Sequence, residues 1–200
     1  MCGCAAASTP AQFLMRTFAH LLSLPMRKLT MEELNRKSID GFRSAEKMPV
    51  IVVLDNIRSM HNVGSVFRTA DAFLIKAIYL CGYTPRPPHR DIQKTALGAT
   101  ETVDWKYFSS TVEAVQLLKE EGNSVWAVEQ AESSIMLNKS GIAQNGNLAV
   151  VFGNEVEGVN YEALRHCDGC IEIPQIGMKH SLNISVAAGI VLWELVRHRI

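Results

Sequence analysis

From residue 49 onward, short apolar runs rich in β-branched residues alternate with stretches of helical periodicity. This alternation constrains the fold more than any other feature of the chain, because strands separated by helices form a largely parallel sheet. Several runs are apolar at nearly every position, as expected where helices cover both faces of a sheet. The sequence therefore predicts an α/β fold with a mostly parallel sheet. The predicted strands are 50–54, 77–81, 102–106, 124–128, 148–152 and 169–173.

Helical patterns fill the intervals between these runs and also precede them. In the first part of the chain, Thr30 followed by Glu33 has the spacing of a capping box. Pro49 then interrupts the chain where the strand pattern begins. We predict a helical N-terminal extension over residues 1–48 and one α/β domain over residues 49–200. The predicted helices are 11–24, 30–45, 63–74, 91–97, 110–121, 160–166 and 182–198.

Hydrophobicity and charge narrow the classes of protein that remain. No apolar run reaches the ~18 residues of a transmembrane helix, so we expect no membrane association. The first residues lack the basic segment and apolar core of a secretion signal, and a cytoplasmic location is expected. The formal net charge of zero removes the general electrostatic argument for nucleic-acid binding. Local basic patches in 11–48 and 85–94 could contact a nucleic acid, although such patches are more often solvated surfaces.

The chain has five cysteines, and this odd number argues against a disulfide framework. Cys167 and Cys170 have CxxC spacing, but no second cysteine pair or histidine pair follows at the spacing of a zinc site. We interpret these two cysteines as structural and expect no metal. Redox or metal chemistry is the alternative, and it would require a titrating thiol pair or stoichiometric zinc.

Polar residues and glycines follow two of the predicted strands at conspicuous positions. In the segment 55–73, Asn62 suits a helix N-cap or a turn, and Arg68 lies beside an apolar helical stripe. Arg68 could extend into solvent, or its guanidinium could bind a phosphate through two parallel hydrogen bonds. After the strand 148–152, Gly153 would allow a ligand to approach the backbone. Glu155 could accept hydrogen bonds from a sugar or an amino group, with a polar turn as the alternative.

A third segment, residues 171–190, passes from a strand through a loop into a helix that we expect to be capped near Ser181. Asn183 and Ser185 lie near the start of this apolar helix, where polar side chains usually cap. Ligands of open α/β sheets bind at the carboxyl ends of the strands, so the three loops together predict a ligand site. The sequence lacks the glycine-rich motifs of dinucleotide and phosphate binding and the GxSxG motif of a nucleophilic serine.

Taken together, the three segments resemble the motifs of the SpoU (TrmH-like) RNA ribose methyltransferases, a branch of the knotted SPOUT superfamily. The first segment is similar to N-x-R-S-x-x-N-x-G-S-x-x-R-T-A-x-A-F, and the second is similar to G-N-E-x-x-G. The third is similar to I-P-M-x-G-x-x-x-S-L-N-V-S-x-A, with Gln175 in place of the methionine. The resemblance covers the chain from about residue 49 to residue 200.

The resemblance implies an α/β domain with a deep trefoil knot, which works as a homodimer with active sites built from both subunits. It implies S-adenosylmethionine as the cofactor and methyl transfer to a ribose 2′-hydroxyl of transfer or ribosomal RNA. The matching cofactor positions are the main chain of Gly153, Ile173 and Leu182, with Glu129 at a strand end as a further candidate. The residues that match the family's catalytic positions are Arg68, Asn62, Glu155, Ser181 and Asn183.

Arg68 matches the family's catalytic arginine, but a guanidinium stays protonated at any ordinary pH. We therefore interpret Arg68 as a group that orients the hydroxyl or an RNA phosphate, and the phosphate can assist deprotonation. Two alternatives stay open from the sequence. One is a knotted enzyme that methylates a base nitrogen, and the other is a non-catalytic RNA-binding protein that keeps the fold.

Overall fold

The computed structural model describes residues 26–142, 146–178 and 181–199. Residues 26–37 and residues 38–199 belong to two separate units. The helices are α1 (Ile39–Ser44), α2 (Met60–Ala72), α3 (Arg90–Ala96), α4 (Ala99–Thr102), α5 (Thr111–Glu120), α6 (Tyr161–His166) and α7 (Ile184–Val196). The strands are β1 (Met48–Asp55), β2 (Ile75–Cys81), β3 (Asp104–Phe108), β4 (Ser124–Val128), β5 (Ile135–Met136), β6 (Leu148–Phe152) and β7 (Gly169–Glu172). Leu137–Lys139 forms a single turn of 3-10 helix.

The strands form one seven-stranded sheet in the order β3-β2-β1-β6-β4-β7-β5. Every neighbouring pair in this sheet is parallel, which confirms the predicted α/β fold class. The strand predicted over 102–106 begins two residues late, because Thr102 ends helix α4 and its hydroxyl donates to Asp71 and to the carbonyl of Ala99. Three short elements, namely α4, β5 and the 3-10 helix, were not predicted from the sequence.

Two apolar cores lie on opposite faces of the sheet. Val52 and Leu54 of β1 point into a core that contains residues of α2, α3 and α7, whereas Ile51 and Val53 point into a core with residues of α5 and α6. Successive residues of a strand alternate between faces, so a strand covered on both sides is apolar throughout. None of the helices in the described part of the chain has the length and hydrophobicity that a bilayer crossing requires.

The start of the chain departs from the predicted helices. The helix predicted over 30–45 is wrong, because residues 31–35 form a turn and the helical residues are only those of α1. The reciprocal capping-box hydrogen bonds between Thr30 and Glu33 do form. Asn35 then adopts a left-handed backbone conformation with φ of 45°, which ends the turn, and Ser38 caps α1. The helix predicted over 11–24 lies outside the described residues.

The caps of the two site helices also differ from expectation. Ser59, and not Asn62, is the N-cap of α2, and its hydroxyl accepts a hydrogen bond from the backbone N–H of Asn62. Asn183, and not Ser181, caps α7 by accepting from the backbone N–H of Ser185. Either residue type can cap a helix, so sequence spacing alone could not decide between neighbours.

Candidate active site

The carboxyl ends of four adjacent strands lie level with one another. Leu54 of β1 is in register with Phe152 of β6, Phe152 with Val128 of β4, and Val128 with Ile171 of β7. The loops that leave these strands therefore start at one edge of the sheet. This edge is where open parallel sheets bind their ligands.

The loop after β6 is held in shape by Asn154, whose side chain is 5% exposed. Its Oδ1 accepts from the backbone N–H groups of Val156 and Glu157, both at 2.9 Å. Its carbonyl accepts from the N–H of Gly158 at 3.0 Å. A short polar side chain thus satisfies the backbone of a tight turn that has no regular secondary structure. Sequence reasoning did not assign a role to Asn154, although an asparagine directly after a buried strand is a recognisable turn signal.

Gly153 is required by a close approach of the protein to itself. A Cβ atom at residue 153 would lie 1.9 Å from the carbonyl carbon of Gly158 and 2.1 Å from the backbone nitrogen of Val159. Both neighbours are backbone atoms, so no side-chain rotation could relieve the overlap. The sequence predicted that a ligand approaches the backbone at Gly153. On the side where a Cβ atom would point, the backbone of Gly158 and Val159 fills that space.

The carboxylate of Glu129 connects the end of β4 to the same loop. Its Oε2 accepts from the N–H of Val159 at 3.1 Å, and its Oε1 accepts from the N–H of Gln130 at 2.9 Å. Gly158 has a positive φ of 69°, and a Cβ atom there would lie 2.1 Å from Oε2 of Glu129. Glu129 therefore holds the loop after β6 in place, and it also lines the adjacent cavity.

A cavity of about 470 Å³ opens between these loops and the start of α7. All four residues predicted to contact the cofactor line it, namely Gly153, Ile173, Leu182 and Glu129. Glu155 and Ser181, two of the predicted catalytic residues, line it as well. Its wall contains four carboxylates, and no arginine or lysine among the described residues contributes to it. The carboxylates belong to Glu129, Glu155, Glu157 and Glu172.

A chain of side-chain hydrogen bonds runs from the start of α7 through α2 to the loop after β6. The Ser185 hydroxyl donates to Oδ1 of Asn183 at 2.6 Å, and Nδ2 of Asn183 donates to Oδ1 of Asn62 at 3.2 Å. Nδ2 of Asn62 then donates to Oε1 of Glu155 at 2.6 Å. Three predicted catalytic residues, Asn62, Asn183 and Glu155, are thereby brought together from distant parts of the sequence. Because each amide both accepts and donates, the chain fixes the orientation of the Glu155 carboxylate.

Arg68 lies apart from this chain and does not line the cavity. Its side chain is exposed on α2. It makes no hydrogen bond or ion pair with any residue that the structure describes. An exposed guanidinium without an internal partner is available to an anion from outside the chain, such as a phosphate.

Cys170 is buried and Cys167 is half-buried, and both have the environment of unreactive thiols. Burial raises the pKa of Cys167 to about 12 and that of Cys170 to about 11. Their Sγ atoms donate to the carbonyls of Ala163 and Glu129. No group of three histidine, cysteine, aspartate or glutamate side chains within residues 26–142, 146–178 and 181–199 is arranged to hold a metal ion. Thiolates are the forms that attack disulfides and bind zinc, so these raised pKa values disfavour the redox and metal alternative.

We expect native Cys167 and Cys170 to resist alkylation at pH 8. A pKa raised well above its ordinary value of ~8.5 lowers the thiolate fraction, so labelling of the folded chain should be slower than in urea by a factor on the order of 100 or more. Mass spectrometry of the peptide that holds both residues measures each state. Equal labelling rates in the two states, or one zinc ion per chain, would restore the alternative.

Comparison with known proteins identifies the family. The family described as SpoU rRNA Methylase matches residues 49–193, which is well over half of the chain. The chain is a member of the SpoU rRNA methylase family. Membership confirms the resemblance carried by the three motifs.

Curated relatives of this SpoU protein share about a third of its residues. The chain is 34% identical over 168 residues to the 23S rRNA (guanosine-2′-O-)-methyltransferase RlmB of Vibrio cholerae, covering 84% of this chain and 66% of the relative. It is 36% identical over 152 residues to RlmB of Escherichia coli, covering 76% of this chain and 61% of the relative. The chain thus spans about two thirds of the length of these relatives.

Solved structures share the fold of this SpoU protein. The A. aeolicus TrmH/SpoU tRNA modifying enzyme superposes with a TM-score of 0.72 at 27% identity, covering 80% of this chain and 82% of that one. The AdoMet-bound rRNA methyltransferase from Sinorhizobium meliloti gives a TM-score of 0.72 at 27% identity, covering 80% and 60%. These likenesses agree with the α/β fold class predicted from the sequence.

Proposed function

We propose that this SpoU protein transfers a methyl group from S-adenosylmethionine to a ribose 2′-hydroxyl of RNA. The main support for the proposal is that residues of all three family motifs lie together at one edge of the sheet. There the second and third motifs line a cavity that could hold a cofactor. Asn62 of the first motif joins them through the hydrogen-bonded chain that ends at Glu155.

The cavity suits S-adenosylmethionine in size and charge. A volume of about 470 Å³ falls within the range of small-molecule sites. The cofactor carries a sulfonium and an ammonium cation, and the four carboxylates of the wall favour positive charge. Main-chain groups at Gly153, Ile173 and Leu182 would hold its polar atoms, and Glu129 and Glu172 lie at the ends of β4 and β7 near them.

Positioning is the chief contribution of the side chains. Bound S-adenosylmethionine supplies an electrophilic methyl group for an in-line displacement, and aligning the attacking oxygen with it accounts for much of the acceleration. Asn62 and Asn183 hold the Glu155 carboxylate in one orientation, where it accepts hydrogen bonds from the target nucleotide or the cofactor. Arg68 binds a backbone phosphate and so fixes the ribose beside it. Ser181, on the cavity wall, donates to or accepts from the bound groups.

The RNA in this proposal is ribosomal. The two curated relatives are named for methylation of a guanosine in 23S rRNA, whereas the A. aeolicus neighbour is named as a tRNA modifying enzyme. A cytoplasmic location, expected from the sequence, belongs to the same proposal.

The test is transfer of a labelled methyl group from S-adenosylmethionine to total RNA from cells that lack the protein. We expect the label in 2′-O-methylated nucleosides of the large ribosomal RNA. Label confined to transfer RNA would change the substrate, and label on a base would favour the base-methylating alternative. Binding of RNA with no transfer would favour the non-catalytic alternative, and failure to bind S-adenosylmethionine would refute the proposal.

The domain division at residues 48 and 49 remains a prediction and is part of this proposal. The family match begins at residue 49, so residues 49–200 would carry the reaction. In the preceding segment, Arg36 and Lys37 are exposed and could add phosphate contacts. Such contacts would raise affinity for RNA in a salt-dependent way without reading its sequence.

A homodimer fits an exposed apolar stripe on α7. Val186, Ile190 and Trp193 are 51%, 39% and 50% exposed, and their spacing places them on one face of the helix. The opposite face of α7 packs into the core through residues such as Val191 and Leu195. A second copy of the same stripe would cover these side chains through a two-fold interface.

Ile190→Asp is expected to convert the dimer to a monomer, because it places a charge at the centre of the apolar stripe. Light scattering coupled to size-exclusion chromatography measures the mass. If both subunits contribute residues to each site, the rate of methyl transfer should also fall by tenfold or more. Tenfold corresponds to a rise of ~1.4 kcal/mol in the activation free energy when a partner residue is lost from the site. Leu97→Asp is the matched control, because Leu97 is 66% exposed and caps the carboxyl end of α3, away from α7. This substitution should leave the mass unchanged. An Ile190→Asp protein that keeps the dimer mass would contradict this interface.

A further inference from the structure

Two exposed tyrosines lie at the same edge of the sheet as the candidate active site. Tyr83 follows β2 and is 53% exposed, and Tyr107 near the end of β3 is 41% exposed. The Tyr107 hydroxyl donates to the carbonyl of Gly82 at 3.0 Å, so the end of the Tyr107 side chain contacts the residue that precedes Tyr83 at the carboxyl edge of the sheet. Large aromatic side chains left in solvent beside a site are candidates for binding a partner.

Each tyrosine has an arginine near its ring. The Arg86 guanidinium lies 4.1 Å from the centroid of the Tyr107 ring, and that of Arg58 lies 5.9 Å from the centroid of Tyr83. Both arginines are exposed. The surface therefore combines flat aromatic faces with positive charge, which complements a polyanion that carries flat rings.

Direct contacts join this surface to the loop that walls the cavity. Nδ2 of Asn154 donates to the Tyr83 hydroxyl at 3.4 Å, and Nη2 of Arg58 lies 3.5 Å from Oε1 of Glu157. Asn154 and Glu157 both line the cavity. A chain bound on the tyrosines would thus lie against the loop that also borders the reacting groups.

We propose that Tyr83 and Tyr107, with Arg58 and Arg86, form a stacking surface for an unpaired RNA base next to the methylated nucleotide. The arginines hold the flanking phosphates. Single-stranded bases stack on exposed aromatic side chains, and this arrangement splays a neighbouring nucleotide out of its own stack. The identity of the partner as RNA rests on the proposed function, whereas the stacking surface rests on the four side chains themselves.

The test compares Tyr83→Leu with Tyr83→Phe in the full chain. Leucine keeps an apolar side chain but removes the flat ring, whereas phenylalanine keeps the ring and removes the hydroxyl that contacts Asn154. The probe is a short single-stranded RNA with one fluorescent purine analogue, whose emission is quenched on stacking. We expect Tyr83→Leu to weaken RNA binding about tenfold and to abolish the quenching, because loss of one base–aromatic stack has that size. Tyr83→Phe should retain both, and calorimetry should show unchanged S-adenosylmethionine affinity for the two variants.

The outcomes separate this inference from the proposed function. If the parent protein methylates RNA and Tyr83→Leu binds and quenches the probe as the parent does, the stacking surface is refuted while the function stands. If Tyr83→Phe loses RNA binding as fully as Tyr83→Leu, the hydroxyl and its loop contact matter and stacking is refuted. If the parent transfers no methyl group but Tyr83→Leu alone loses probe binding, the surface stands and the proposed reaction fails.

Discussion

Arg68→Ala is expected to lower methyl transfer by at least about 100-fold while leaving the fold and cofactor binding intact. The size follows from losing the contact that aligns the ribose hydroxyl with the methyl group. Arg68 is exposed and makes no hydrogen bond or ion pair with a described residue, so its truncation breaks no internal contact. The measurement is single-turnover methyl transfer at saturating cofactor, together with calorimetric affinity for S-adenosylmethionine.

Two variants control this result. Arg68→Lys keeps the positive charge but loses the two parallel N–H donors of the guanidinium. Its activity should therefore fall between those of the parent and the alanine variant. Arg165→Ala removes another exposed arginine, on α6 and outside the three motifs, and should have little effect. Activity of Arg68→Ala near that of the parent would remove Arg68 from the catalytic assignment.

Gly153→Ala is expected to disrupt the cofactor cavity. The added methyl would lie 1.9 Å from the backbone of Gly158, so the loop that carries Asn154 and Glu155 must move. Overpacking of this kind costs about 1–3 kcal/mol of stability. We expect a lower urea midpoint and, because the displaced loop lines the cavity, a loss of S-adenosylmethionine affinity of tenfold or more, roughly the effect of ~1.4 kcal/mol.

Gly177→Ala is the matched control for this substitution. Gly177 also lies in a loop of the site region, but a Cβ atom there would have nothing within 4 Å. Its replacement should leave stability and cofactor affinity unchanged, or raise stability slightly by restricting the unfolded chain. If Gly153→Ala binds the cofactor as tightly as Gly177→Ala does, the close backbone approach at Gly153 is not what shapes the cavity.

The central strands were predictable because their side chains face two cores. Ser124–Val128 and Leu148–Phe152 match their predicted bounds, and both are interior strands of the sheet. The predicted helix over 30–45 failed for the opposite reason. The capping box starts a turn at residues 31–35, but residues 30–38 are all exposed, and local hydrogen bonds alone stabilise a short helix poorly. The helical residues are those of α1, which buries Phe42.

The sequence predicted candidate site residues, and the structure decided which of them lie together. The motifs indicated Asn62, Glu155 and Asn183, and the structure joins them in one hydrogen-bonded chain. It places the four predicted cofactor residues around one cavity. The role of Gly153 changed, because the atom it must avoid belongs to Gly158 of the same loop. Whether these residues act as assigned stays a prediction.

The stacking surface had no sequence signal that could have found it. Tyr83 lies in the loop after β2, Tyr107 lies in β3, and neither belongs to a motif. Their proximity follows from the parallel pairing of β2 with β3. The basic segment 85–94 was noted for its charge, but only the structure shows Arg86 against an aromatic ring.

The sequence by itself determined the fold class and the family, because apolar periodicity and local motifs are properties of neighbouring residues. The tertiary structure alone decided which motif residues meet. Asn62 and Asn183 are hydrogen-bonded across 121 positions of sequence, and Asn62 and Glu155 across 93. Such pairs are set by the order of strands in the sheet, which brings distant carboxyl ends to one edge and which no local pattern encodes.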